Sequence, residues 1–153
     1  MFLLSILLAL TAQAADTGTL ILSGTVVSAC NLVVTPNGAN NTTLNIVSGD
    51  ANKLVANVQE TCNNATGYKI NVKTVNGGEL RHTSVPSLKT TYTLTYSGQT
   101  VTPTTNYQQV KNVTVLNSPA NVTSTVHVSV APYAAALAGT YSDTVTFQIV
   151  ANP

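Results

Sequence analysis

Apolar and polar residues alternate with a period of two over several short segments of this chain. Residues 68–75, YKINVKTV, place Tyr, Ile and Val on one face and Lys, Asn and Lys on the other. Such alternation is typical of half-buried β-strands. It predicts strands at residues 19–29, 42–47, 53–61, 68–75, 90–96, 110–116, 122–130 and 139–151. Turn signals such as Pro36-Asn37-Gly38 and Asn76-Gly77-Gly78 separate these segments. Seven or eight short strands at this spacing predict one all-β sandwich domain.

The N-terminal segment has a different pattern. Residues 1–14, MFLLSILLALTAQA, contain an apolar stretch from Phe2 to Leu10 and end in Ala12-Gln13-Ala14. The stretch is shorter than the about 20 residues that span a bilayer. Its length and the A-x-A cleavage site predict a signal peptide over residues 1–14, with the mature chain beginning at Ala15. The alternatives are a buried N-terminal strand or a start codon further upstream. No later apolar run is long enough for an integral membrane anchor.

Composition narrows the function classes. Only 7% of the 153 residues are charged, with 6 Lys and Arg against 5 Asp and Glu, while 44% are hydrophobic. A nucleic-acid binder needs a basic patch to neutralise phosphates, so nucleic acid is excluded as an electrostatic partner. Intrinsic disorder is excluded as well, because disordered chains combine low hydrophobicity with high net charge.

The chain has two cysteines, Cys30 and Cys62. In an exported protein an even pair of cysteines predicts a disulfide. The alternative is a metal site, which would need histidine ligands at short spacing. His82 and His127 are far from both cysteines and from each other in the sequence, which favours the disulfide, and we expect no bound metal or other cofactor.

No catalytic motif is present. Nucleophile elbows, zinc-protease helices, phosphate-binding loops and dinucleotide turns are all missing. His127 lies on the polar parity of an alternating run, and His82 lies beside Arg81 in a segment rich in turn residues. The five carboxylates are scattered along the sequence. We therefore predict no catalytic residue and no enzyme activity.

Three segments carry a resemblance to a known family. Residues 15–30, ADTGTLILSGTVVSAC, resemble the start of a chaperone–usher pilin subunit. Residues 138–147, AGTYSDTVTF, resemble the G-x-Y-x-D-x-[VL] ending of the spore coat protein U-like domain, which archaic (Csu-type) pilins use. The second cysteine in VQETC at residues 58–62, with YKINV at residues 68–72, also fits this family.

The resemblance implies an incomplete immunoglobulin-like β-sandwich of about seven strands, with one disulfide and an N-terminal donor strand. Residues 15–27 would be that extension and residues 28–153 the pilin-like domain. Such subunits lack their last strand. A periplasmic chaperone fills the resulting groove, and at an outer-membrane usher the N-terminal strand of the next subunit replaces it. The partners implied are thus neighbouring subunits in a head-to-tail polymer, the chaperone and the usher, and the fibre would support adhesion or biofilm formation at the cell surface.

Parity assigns residues to these implied roles. The donor side chains would be Leu20, Leu22, Gly24 and Val26. The last strand and groove would comprise Tyr141, Asp143, Val145, Phe147 and Ile149, of which Tyr141 and Asp143 are structural. The alternative for residues 20–26 is an ordinary first strand of a complete sandwich. The alternative function is a secreted or periplasmic β-sandwich that binds a ligand, or acts as an adhesin module, without polymerising.

Overall fold

Ten β-strands form two sheets in the computed structural model, which describes residues 17–153. The predicted signal peptide, residues 1–14, lies outside the described residues. The strands are β1 (Cys30–Pro36), β2 (Asp50–Cys62), β3 (Tyr68–Thr74), β4 (Glu79–His82), β5 (Lys89–Tyr96), β6 (Gln99–Val101), β7 (Gln108–Val113), β8 (Ala120–Val130), β9 (Tyr141–Ser142) and β10 (Val145–Ala151). The described residues contain no helix, so none of them forms an apolar helix that could cross a membrane. The predicted all-β sandwich is confirmed.

All strand pairs are antiparallel. The larger sheet has the order β1-β2-β8-β5-β4-β9, with β6 paired to β5. The smaller sheet has the order β10-β3-β7. Strands β1 and β10 therefore each stand at the end of a sheet, and both edges lie on the same side of the sandwich, where the two strands contact each other.

The core lies between the sheets and follows the predicted parity. In β3 the side chains of Tyr68, Ile70 and Val72 are buried, and in β5 those of Leu94 and Tyr96 are buried. Antiparallel sheets with one solvated face alternate in this way. The prediction of which face of these two strands is buried is confirmed.

Two predicted strands are absent. Residues 19–29 belong to neither sheet, and no strand of the described chain pairs with them. Residues 42–47 form turns instead. Asn45 N–H donates to Asp50 Oδ2 at 2.6 Å, and Ser48 N–H donates to Asn45 Oδ1 at 2.9 Å. Such local side-chain bonds offer the backbone an alternative to a sheet ladder.

Other strand boundaries differ from the predicted ones, because a strand of two to four residues is too short to show an alternation of apolar and polar residues. Strand β1 was not predicted, since its residues are mostly exposed and do not alternate. Strands β4, β6 and β9 have only two to four residues each, which raises the number of strands above the expected seven. The predicted last strand, 139–151, is divided into β9 and β10. His82, which lies in a segment rich in turn residues, belongs to β4 and is buried.

The cysteines form the predicted disulfide. Cys30 and Cys62 lie directly opposite each other at one end of the β1–β2 ladder, and their sulfur atoms are bonded. The bond closes a loop with a sequence separation of 32 residues. Chain entropy alone attributes roughly 3–4 kcal/mol of stabilisation to a loop of that length. The disulfide thus fastens the end strand β1 to the longest strand of the larger sheet.

Candidate functional site

An open groove runs into the core between the two sheets. Its volume is about 610 Å³. Its apolar lining comes from both sheets and from the 42–47 turn region, namely Val34, Leu44, Ile46, Val55, Leu80, Tyr92, Leu94, Val126, Val128, Val145 and Phe147. Its lining contains one carboxylate, Asp143. The groove therefore suits an uncharged, apolar occupant.

Strand β10 forms one margin of the groove with an unpaired backbone. Val75 N–H donates to the Thr144 carbonyl, and Asn152 N–H donates to the Gly67 carbonyl. In the register with β3, these bonds place the backbone groups of even-numbered β10 residues toward β3. The odd-numbered residues, Val145, Phe147, Ile149 and Ala151, then turn their N–H and C=O groups to the free edge.

Strand β1 forms the opposite margin by the same logic. Asn63 N–H donates to the Ala29 carbonyl, and Asn37 N–H donates to the Val55 carbonyl. Odd-numbered residues of β1 therefore face β2, and Leu32 and Val34 present their N–H and C=O groups outward. No strand of residues 17–153 lies beyond β1 or β10. Each margin thus offers both apolar side chains and unpaired backbone groups, as an inserted strand requires.

The predicted groove residues divide between lining and support. Val145 and Phe147 line the groove, and Phe147 packs on Tyr96 with ring centroids 5.6 Å apart. Ile149 packs against the core next to them but is not part of the lining. These β10 side chains are only half-buried although they are large and apolar. A segment placed in the groove would cover the exposed parts of Val145 and Phe147.

Tyr141 and Asp143 fix the corner where the chain enters β10. The Asp143 carboxylate accepts hydrogen bonds from Asn76 N–H at 2.9 Å, Thr144 N–H at 2.7 Å and the Tyr92 hydroxyl at 2.8 Å. Burial, together with Asp143, raises the pKa of the Tyr92 hydroxyl. The Tyr141 hydroxyl bonds to the backbone of Leu137.

His82 supports the same corner from β4. Its Nδ1 accepts hydrogen bonds from the N–H groups of Ser84 and Val85, both at 3.1 Å. Its Nε2 lies 3.1 Å from the Ala138 carbonyl, and its ring packs edge-on against Tyr141. Both ring nitrogens therefore have protein partners, and His82 ties β4 to the loop that precedes β9.

The N-terminal tail, which we define as residues 17–27, projects from the sandwich. Leu20, Leu22 and Val26 are 82%, 84% and 86% exposed. Gly24 has no atom of another residue near its Cβ position. The tail, TGTLILSGTVV, contains no charged residue; Leu20, Leu22 and Val26 share one parity, while Ile21 and Val27 are apolar residues on the other. Apolar side chains at this exposure have no packing partner among residues 17–153, and the tail is not a strand of either sheet there.

A buried carboxylate cluster lies deeper in the core, and sequence reasoning missed it. Glu60 is 0% exposed and accepts hydrogen bonds from four side chains. These are the hydroxyls of Tyr68, Tyr96 and Ser124, each at 2.6 Å, and Lys111 Nζ at 2.8 Å. Burial pushes the pKa of Glu60 up, but the hydrogen bonds outweigh it and hold the pKa below its usual value. The same contacts, with burial, raise the pKa values of both tyrosines.

The parity of β2 held a signal for this cluster. Glu60 shares a parity with the buried residues Val58 and Cys62. The side chains that donate hydrogen bonds to Glu60 come from β3, β5, β7 and β8. The amino-acid sequence alone does not show that these four strands lie close together. Within residues 17–153, no three His, Cys, Asp or Glu side chains gather where they could hold a metal ion.

No protein-family model matches this chain, and no curated protein matches it.

Proposed function

We propose that this chain is a structural subunit of a surface fibre in which the tail of one copy fills the groove of the next. One observation carries the proposal: a single chain has both an open apolar groove with two unpaired margins and a protruding, uncharged tail with exposed apolar side chains. Strand β10 has seven residues and the tail has eleven, so the tail is long enough to pair along the whole margin.

The energetics favour insertion of the tail. Burying Leu20, Leu22 and Val26 would stabilise the contact by roughly 1.5–3 kcal/mol for each side chain. Strands β1 and β10 contact each other, so they would have to move apart before their backbone groups could form ladder hydrogen bonds on both sides of the tail. Gly24 would occupy a shallow part of the groove.

The symmetry of this contact leads to a fibre. The groove and the tail are different surfaces, so the contact between two copies is head-to-tail and leaves one groove and one tail unoccupied. Further copies add in the same way, and the polymer does not close as a two-fold dimer does.

The sequence and the disulfide support a proposal about export and about the proteins that would assist assembly. The proposed signal peptide and the pilin resemblance favour passage through the periplasm to the cell surface. The disulfide favours an oxidising compartment. An exposed groove with unpaired margins is an aggregation hazard, which favours a periplasmic chaperone as a temporary occupant and an outer-membrane usher as the site of exchange.

A binding module that does not polymerise is the second proposal. The groove volume of about 610 Å³ falls in the range of small-molecule pockets. In that case an apolar ligand would occupy the groove, and the tail would remain exposed.

Two charge substitutions on opposite faces of the tail test the first proposal. Leu22→Asp places a carboxylate on the face that enters the groove, and Ile21→Asp places it on the outer face. We expect the unsubstituted mature chain and the I21D variant to form linear polymers after refolding at high concentration. We expect L22D to remain monomeric, because an unpaired buried charge is costly. Size-exclusion chromatography and electron microscopy measure the outcome.

Two results would contradict fibre assembly through the tail. One is equal polymerisation of L22D and I21D. The other is a natural chain that stays monomeric while an apolar ligand binds in the groove, which would support the binding module instead.

A further inference from the structure

Asn63 holds the root of the tail with three hydrogen bonds. Its Oδ1 accepts from Ala29 N–H at 2.6 Å, and its Nδ2 donates to the Val27 carbonyl at 3.0 Å. Its own N–H donates to the Ala29 carbonyl at 3.1 Å. The side-chain amide therefore joins the backbone on both sides of Ser28 and extends the β1–β2 ladder past the disulfide.

The root of the tail lies at the end of the sandwich where β10 finishes. The Asn152 carbonyl accepts from Asn64 Nδ2 at 2.8 Å, and Asn64 is the neighbour of Asn63. Strand β1 starts at this end and β10 arrives there, so the two margins of the groove are antiparallel. To enter its own groove, the tail would have to reverse direction at residues 27–29 and run back beside β1.

Local chemistry opposes that reversal. A tight hairpin needs residues that accept positive φ, such as Gly or Asn. The tail and β1 are joined by Ser28 and Ala29. The Asn63 amide also engages the two backbone groups, Val27 C=O and Ala29 N–H, that would have to turn.

We propose that Asn63 is a positioning residue that keeps the tail from folding back into its own groove, so that the groove stays open for a second copy of this chain. The inference rests on the proposed function and adds its regulation. Asn63 selects assembly between copies over closure within one copy. Asn63 would do this by fixing the direction in which the tail leaves the β-sandwich.

The test compares the full mature chain with Asn63→Ala and with Asn31→Ala as a matched control. Asn31 lies on β1 at the same end of the sandwich. Its backbone pairs with β2 and accepts from the Thr61 hydroxyl, but its side-chain amide makes no hydrogen bond within the described residues. The chains are refolded under dilute conditions, and two quantities are measured: the fraction of monomer that no longer polymerises on concentration, and the amide hydrogen exchange of residues 17–27 in that monomer.

We expect N63A to increase the closed, non-polymerising monomer about tenfold over the natural chain, since two side-chain hydrogen bonds are lost. Its tail amides should become protected from exchange, and N31A should behave as the natural chain does. Asn63→Asp, which keeps the acceptor for Ala29 but places a carboxylate oxygen against the Val27 carbonyl, should shift the balance in the same direction as N63A.

The failure of this inference differs from the failure of the proposed function. If the natural chain polymerises and N63A polymerises equally with an unprotected tail, Asn63 has no such role. If the natural chain does not polymerise and its tail stays unprotected, the proposal of fibre assembly is itself wrong. Asn63 then has no assembly to regulate.

Discussion

The tail and strand β3 both place apolar side chains on one parity, but their surroundings are opposite. In β3 these are Tyr68, Ile70 and Val72, and in the tail they are Leu20, Leu22 and Val26, although the apolar Ile21 interrupts the alternation there. In β3 the inward side chains Ile70 and Val72 are 0% exposed, because β10 and β7 pair on either side and the larger sheet packs on the inner face. In the tail, Leu20 and Leu22 are more than four-fifths exposed. Alternation specifies a segment that can be a strand, and the neighbours decide whether it is one.

The largest expected effect separates the two segments directly. Ile70→Ala should reduce the free energy of unfolding by about 2–5 kcal/mol, since it leaves a cavity in a packed core. Leu22→Ala in the monomer should change it by less than about 0.5 kcal/mol. Urea denaturation of monomeric samples measures both. Equal losses would mean that the tail already packs within its own subunit.

A smaller effect concerns the buried Glu60 carboxylate that accepts a hydrogen bond from β3. Tyr68 of β3 donates to Glu60, whose pKa is held below its unfolded value. The stabilisation from the Glu60 carboxylate is therefore fully present above the unfolded pKa, about 4.3, and is lost as the pH falls through the lower folded pKa. At pH 7 Glu60→Gln should cost about 1.5–3 kcal/mol.

The difference between the natural chain and E60Q should shrink as the pH is lowered from 7 to 3, as measured by urea denaturation at each pH. Glu79→Gln is the control, since Glu79 pairs with Arg81 and Lys89 at the surface and should cost less. A difference that does not depend on pH would rule out the charged form of Glu60 as the source of the stabilisation.

The smallest effect concerns the outward face of β3. Lys73 Nζ lies 4.6 Å from the centre of the Tyr107 ring, a cation–π contact worth about 0.5–1 kcal/mol at an exposed site. Lys73→Ala should lose that amount, whereas Ile21→Ala on the outward face of the tail should change the stability of the monomer by less. Thermal unfolding of the two variants checks this order, and the reverse order would show that the tail has a partner on its outer face.

The sequence predicted the long strands well because their partners lie within the chain. β2, β3, β5 and β8 follow the predicted segments closely, since each buries one face and the burial is encoded in the alternation. Residues 42–47 alternate too, but the hydrogen bonds between Asn45, Ser48 and Asp50 decide the conformation there, and alternation carries no information about such bonds.

The candidate site was predicted in part. Val145 and Phe147, which parity assigned to the groove, line it. The tail residues are exposed, and their role as a donor strand stays a prediction. Asn63 and Glu60 were not predicted to have roles, because their contacts depend on which backbone and side-chain groups meet in space. An Asn beside a Cys has no distinctive pattern in the sequence.

The position of the disulfide has a mechanical consequence. A pull on the tail first loads the Asn63 hydrogen bonds to Val27 and Ala29 and then reaches Cys30, the first residue of β1, whose opposite residue in the ladder is Cys62. Without the covalent bond, the load would open the β1–β2 hydrogen bonds one after another, starting at this end. With it, the force passes through the sulfur atoms into β2, which is paired on both sides, and the pairs behind Cys30 bear none of it.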